Sequence, residues 1–163
     1  MCSSPLADCL AGTCVAENNI NLAISGSGSS IYESDRSYIN GPIDGNSTTR
    51  FNEGSLQGSN YESTNENVSH WWEVDLHSSF IISQIKIIPC EGDLCALDGK
   101  RLDQIRVDII NDSTIVSSFF FFRDQAPMLD LILPIEVQAQ IVRITKVQTG
   151  QMLSLSEVQV IGR

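Results

Sequence analysis

Positive charge is scarce in this chain. Its 163 residues hold 10 Lys and Arg against 20 Asp and Glu, a net charge of −10. That balance excludes the classes that need basic patches, namely nucleic-acid binders and proteins of anionic membrane surfaces. It remains compatible with bound cations, neutral glycans or a basic protein partner. Long apolar runs are missing as well. The longest, Ile115 to Phe122, is broken by two serines and falls far short of the roughly 20 residues a membrane span needs. Met1 to Asn18 has neither a basic start nor an apolar stretch of signal-peptide length; either a signal has been removed or there was none. Histidine occurs twice, at His70 and His77. With no G-x-S-x-G, HExxH or paired-carboxylate motif beside them, both read as exposed surface residues, and no enzyme is expected. No stretch sustains a 3.6-residue period, and there is no internal repeat or linker.

What is present is a succession of short β patterns. From Asn18 on, "WWEVDL" alternates, with Trp72, Val74 and Leu76 on one face and Glu73 and Asp75 on the other. "FIISQIKII" (80–88) is apolar on both sides and reads as a central strand. "QIRVDII" (104–110) is expected to bury Ile105, Val107 and Ile109 and to turn Arg106 and Asp108 outward. "TIVSSFFFF" (114–122), "LDLIL" (129–133) and "IVRITKV" (141–147) follow, separated by Asp, Asn, Gly and Pro. This punctuation predicts an all-β, antiparallel sandwich or jelly roll. Residues 1–17 read as an aperiodic, Cys-rich arm and 18–163 as one domain.

The five cysteines are Cys2, Cys9, Cys14, Cys90 and Cys95, with four residues inside each of the pairs 9/14 and 90/95. Two local disulfides, with Cys2 left over, are the simplest expectation; a four-thiolate zinc site is the alternative. The sequons Asn46-Ser-Thr, Asn67-Val-Ser and Asn111-Asp-Ser accompany the cysteines. Together they point to an extracytoplasmic setting: secreted, cell-surface or organelle lumen.

Two places look built for a site. Asn40 to Ser59 has little to bury and contains a DGN turn, and structureless loops of that length are usually functional or disordered. In "LSLSEVQVI" (153–161), Leu153 and Leu155 share one parity and Val158 and Val160 the other. One extra residue at Ser156–Glu157, a β-bulge, accounts for the slip.

The blocks "PIDGN", "HWWEVDL", "KRL" and "LSLSEVQV", taken in order, resemble the discoidin (coagulation-factor type C) superfamily, and most closely its F-type, fucose-binding lectin branch. That resemblance covers about Asn21 to Gly162 and implies an eight-stranded jelly roll. It further implies a structural calcium ion held by Gly41, Asp44, Asn46, Ser55, Ser156 and Glu157. The donor types suit the ion, since Ca²⁺ takes 6–8 hard oxygens from carboxylates and carbonyls.

The sequence departs from the family elsewhere. Positions that carry a disulfide in the family are Leu56 and Ser156 here. Of the family's sugar-holding residues, the His position is Gly58, the Arg position falls on Cys90 or Glu91, and the basic residue before Leu is kept as Arg101. Asp93 could stand for the motif's Asp. A carboxylate cannot replace an Arg that donates to sugar hydroxyls. Fucose binding of the usual kind is therefore not expected, and the mouth "CEGDLCALDGKRL", with Glu91, Asp93, Lys100 and Arg101, is the candidate for another ligand. Phe119, Phe120, Phe121 and Phe122 form the remaining candidate surface: in a strand two of the four point outward, either as an apolar patch for a partner or covered by a loop or the N-terminal arm. Two readings stand: a lectin-like recognition or adhesion module, and a protein-interaction or accessory subunit of a larger assembly.

Overall fold

The computed structural model describes residues 19–30, 39–47, 69–90, 102–125, 127–149 and 153–163, and the backbone alone of 7–10, 13–16 and 57–58. No α-helix occurs among them. Strands β1 (Ala7–Leu10) and β2 (Thr13–Ala16) form a hairpin, so regular structure replaces the aperiodic run expected there. The remaining strands are β3 (Ile20–Asn21), β4 (Ser27–Ser30), β5 (Gln57–Gly58), β6 (Trp71–Pro89), β7 (Ile105–Asn111), β8 (Thr114–Phe121), β9 (Leu129–Lys146) and β10 (Ser154–Gly162). Short 3₁₀ turns lie at Leu22–Ser25 and Gly41–Ile43.

All pairing is antiparallel, and two long strands organise it. The first part of β6 pairs with β4 through Trp72–Asp75. Its second part pairs with β10 through Ile82–Pro89. Likewise β9 meets β7 only through Ile141–Lys146. One layer is thus β4, the start of β6, the end of β9, β7 and β8. The other is β3 and β5, then β10, the end of β6 and the start of β9. Trp72, Val74, Ile85, Ile87, Val107, Ile109, Ile144, Val158 and Val160 meet between the layers in one apolar core.

The sequence patterns for 71–76 and 80–88 belong to this single 19-residue strand, and those for 129–133 and 141–147 to β9. What read as breaks are bends. In β6 the register with β9 shifts between Asp75 and Phe80, where His77 adopts φ 64° and its N–H bonds Asp75 Oδ1 at 2.7 Å. In β9 residues 133–136, Pro134 included, stand opposite Ser83 alone, between the pairs Gln84–Ile132 and Ile82–Val137. That bulge also corrects the reading of 80–88 as apolar on both sides. The buried parity switches from Ile82 to Ile85 and Ile87, while Ile81 is exposed.

Two further expectations are overturned. His70 is buried, 3% exposed, and burial lowers its pKa below the usual 6.5. Asp108 does not face solvent. It is 1% exposed, held by Arg106 Nε at 2.8 Å and by the Ser118 hydroxyl at 2.6 Å. Buried carboxylates survive only when paired in this way.

The chain end is fastened to β6. Arg163 exchanges backbone hydrogen bonds with Ile81 at 2.9 and 3.0 Å, and its guanidinium grips Glu136 with both nitrogens at 2.7 and 2.8 Å. A Cβ on Gly162 would lie 2.2 Å from the Ile81 carbonyl oxygen. Gly162→Ala is therefore expected to destabilise by about 1–3 kcal/mol, the range for overpacking, as read by urea unfolding; an unchanged midpoint would refute the close approach.

Candidate metal and ligand site

The DGN segment is fastened before it turns. Trp72 is fully buried and its indole N–H donates to the Ile39 carbonyl at 2.9 Å. The Asn40 side chain accepts from the Gly28 N–H of β4 at 2.7 Å. Gly41, Pro42 and Ile43 follow as a buried 3₁₀ turn packed on β10. Its last bond runs from the Asp44 N–H to the Gly41 carbonyl at 3.3 Å. Gly45 then takes φ 81°, a left-handed conformation that costs glycine nothing. The Asn46 N–H folds back on Asp44 Oδ1 at 2.8 Å, a side-chain turn typical of Asp. Asp44, Gly45 and Asn46 stay exposed.

Opposite stands the predicted bulge. Leu155 pairs with Pro89 and Glu157 with Ile88, so Ser156 is the extra residue. Both Ser156 and Glu157 are 0% exposed. Neither oxygen of Glu157 has a hydrogen bond of normal geometry. Burial raises its pKa, Asp44 raises it further by repulsion, and the nearby Gly45 N–H opposes them; the carboxyl ends up at about 7 instead of 4.5.

An orphaned, fully buried carboxylate beside a second carboxylate is the arrangement a divalent cation relieves. The donors present are hard oxygens: Asp44 and Glu157 with the carbonyls of Gly41, Asn46 and Ser156. They fit calcium in kind and in charge. Ser55 lies outside the described residues.

Gly58 is described by its backbone, in β5 opposite Ser154 of β10. Glu91, Asp93, Cys95, Lys100 and Arg101 lie outside the described residues; the roots of their loop do not. At one root Cys90 is buried, and its N–H reaches the Ser154 carbonyl at 3.5 Å. Cys90 is disulfide-bonded. That removes the four-thiolate zinc alternative, which needs Cys90 as a thiolate. In the β1–β2 hairpin Cys9 stands directly opposite Cys14, a spacing compatible with the expected bridge.

At the other root Leu102 is buried, its N–H on Asp124 Oδ1 at 3.1 Å. Here the sequence reading missed a residue. Lys146 is buried, its ammonium paired with the Asp103 carboxylate and donating to the Asp103 carbonyl at 2.8 Å. Next to it Gln104 is held at φ 46°, with its carbonyl on the Val147 N–H at 2.8 Å. Lys146 shares the core parity of Val142 and Ile144, and a lysine on a core parity was the available signal.

The four phenylalanines divide as the alternation requires. Phe119 and Phe121 pack against the core, while Phe120 and Phe122 are 51% and 76% exposed and stack 6.3 Å apart. Arg106 lies over the Phe120 ring and Arg143 over Trp71 at 4.8 Å. Arg143 also bonds Glu73 at 2.6 Å, and Glu73 accepts from the Ser29 hydroxyl at 3.1 Å.

No protein-family model matches the chain, and no curated protein sequence does. Solved structures match over most of its length. A mutant lectin domain of lectinolysin complexed with Lewis b superposes with a TM-score of 0.77 at 21% identity, covering 90% of this chain and 98% of that one. A fucose-binding module of Streptococcus pneumoniae gives 0.76 at 22% identity, over 90% and 98%. A fucolectin from striped bass (Morone saxatilis) serum gives 0.70 at 26%, over 89% and 49%. A family 32 carbohydrate-binding module of Clostridium perfringens, in complex with galactose, gives 0.69 at 17%, over 88% and 99%. The two-layer antiparallel sandwich of this chain is thus the fold of these carbohydrate-binding modules.

Proposed function

We propose that this domain is a non-catalytic carbohydrate-recognition module whose loops are held by calcium, working outside the cytoplasm, with a specificity other than the usual fucose one. The observation that carries the calcium part is Glu157: fully buried, without a hydrogen-bond partner of normal geometry, and facing the charge of Asp44. The glycan part rests on the fold, which this chain shares with modules solved with Lewis b and with galactose. In this reading the bulged strand and the DGN turn together hold the ion. Lys146 and Asp103 brace the root of the long polar loop.

The usual fucose contacts need donors where this chain has Gly58 and Cys90. Glu91 and Asp93 accept hydrogen bonds, and the chain is acidic throughout. Both features favour neutral sugars that donate their hydroxyls over sialylated or sulfated ones. A glycan array probed in calcium and again in EDTA tests this. The expected result is retention of a neutral, non-fucosylated glycan in calcium only. Selective retention of fucosylated glycans would refute the specificity, and an empty array would refute sugar recognition. One feature favours a second reading, a protein-interaction role: Phe120 and Phe122 stand exposed and stacked on one strand.

A further inference from the structure

Strand β8 closes one end of its layer, and among the described residues no strand pairs with its outer edge. Such an edge is a row of free backbone donors and acceptors, which proteins normally protect with charges, prolines or shortness. The chain protects others that way. The part of β9 that pairs with β6 alone among the described residues carries Asp130, Pro134 and Glu136 in its sequence, and β4, at the opposite end of the β8 layer, is four residues of Ser and Gly. From Thr114 to Phe122 there is no charge and no proline. Ile115, Val116, Phe120 and Phe122 are all exposed.

The first charge beyond each end of the strand is of opposite sign to the other; Asp124, next after Arg123, is turned to the Leu102 N–H at 3.1 Å. Asp112 is exposed in the β7–β8 turn, and Arg123 is exposed just beyond Phe122. A second copy laid antiparallel along this edge, about a two-fold axis perpendicular to the sheet, brings Asp112 of each copy toward Arg123 of the other. A parallel approach would set like charge against like. The antiparallel approach also keeps the exposed rows of both copies on one face, so Phe120 and Phe122 adjoin apolar neighbours there. The nine uncharged residues let two acidic molecules come together without charges facing each other along the strand.

We infer that β8 is a self-association edge: two copies of this chain pair antiparallel through β8 and join their β8-containing layers into one continuous sheet. The inference stands apart from the glycan reading and survives its failure.

Sedimentation velocity over a wide concentration range, with single and paired charge variants, tests it. The wild-type chain is expected to show a monomer–dimer equilibrium. Arg123→Glu alone, or Asp112→Arg alone, is expected to weaken the dimer about tenfold, since each change alters two symmetric contacts. The combined Arg123→Glu/Asp112→Arg chain is expected to recover most of the loss. Val116→Lys/Phe122→Lys should be monomeric while keeping the wild-type circular dichroism. Ile135→Lys, an exposed site in β9, should dimerise normally. A wild-type chain that stays monomeric overturns the inference. So does a dimer that Ile135→Lys breaks and Val116→Lys/Phe122→Lys does not, or a charge swap that fails to restore pairing. Concentration-independent protection of β8 amides from hydrogen exchange would mean another segment of the same chain covers the edge, and would overturn it equally.

Discussion

In EDTA, the melting temperature falls as the pH is raised through the window from 4.5 to about 7, and Glu157→Gln removes most of that fall. The Glu157 carboxyl titrates near 7 in the folded protein instead of 4.5. Between those values the folded state keeps a proton that the unfolded state has released. Stability must then decline with rising pH and level off above the folded value. At 1.36 kcal/mol per pH unit, the displacement corresponds to about 3 kcal/mol, or roughly 5–10 °C for a domain of this size. His70 works in the other direction, because its lowered pKa removes stability as the pH falls below 6.5. The difference between wild type and Glu157→Gln isolates the carboxyl. Calcium should raise the wild-type melting temperature at neutral pH, by about 2.7 kcal/mol at a hundred times its dissociation constant. The gain should shrink below pH 7 as protons compete for Glu157, and vanish in Asp44→Ala/Glu157→Ala. A pH-independent EDTA curve, or a double variant that still responds to calcium, would remove the ion from the site.

Trp72→Ala should cost about 4 kcal/mol, within the range for deleting a fully buried large aromatic, and lower the melting temperature by roughly 10 °C. Trp72→Phe is the more informative change. It keeps most of the apolar volume but strips the Ile39 carbonyl of its donor, a loss of about 1–3 kcal/mol for an unsatisfied buried acceptor. Ile39 opens the segment that carries Gly41, Asp44 and Asn46. The calcium response of Trp72→Phe is therefore expected to weaken along with its stability. Calorimetric titration with calcium decides it: wild-type affinity in Trp72→Phe would show that the segment holds its shape without the indole.

The bulge and the DGN turn were easier to read in the sequence than the strands were. The parity slip in "LSLSEVQVI" is a local event, and Ser156 emerged as the extra residue. The DGN turn is equally local, with Gly45 at positive φ and Asn46 bonded to Asp44. What sequence could not convey was continuity through a bend. His77 and Pro134 carry the marks of strand ends, yet in the fold they redirect strands that keep going. Nor could it convey compensation from a distance. Asp108 alternates outward like Arg106, and it is buried because Ser118 and Arg106 close over it. Lys146 was legible in principle, on a core parity, but its counter-ion Asp103 lies 43 residues away and the alternation around it looked ordinary.

Because β6 and β9 each run from one layer into the other, neither layer can come undone by itself. Undoing the pairing around Trp72–Asp75 pulls on the same backbone that holds Ile82–Pro89 against the bulged strand. The domain should behave as one thermodynamic unit, melting in a single step with equal calorimetric and van't Hoff enthalpies. A cation seated between Asp44 and Glu157 would then slow amide exchange as far away as β7, in the other layer.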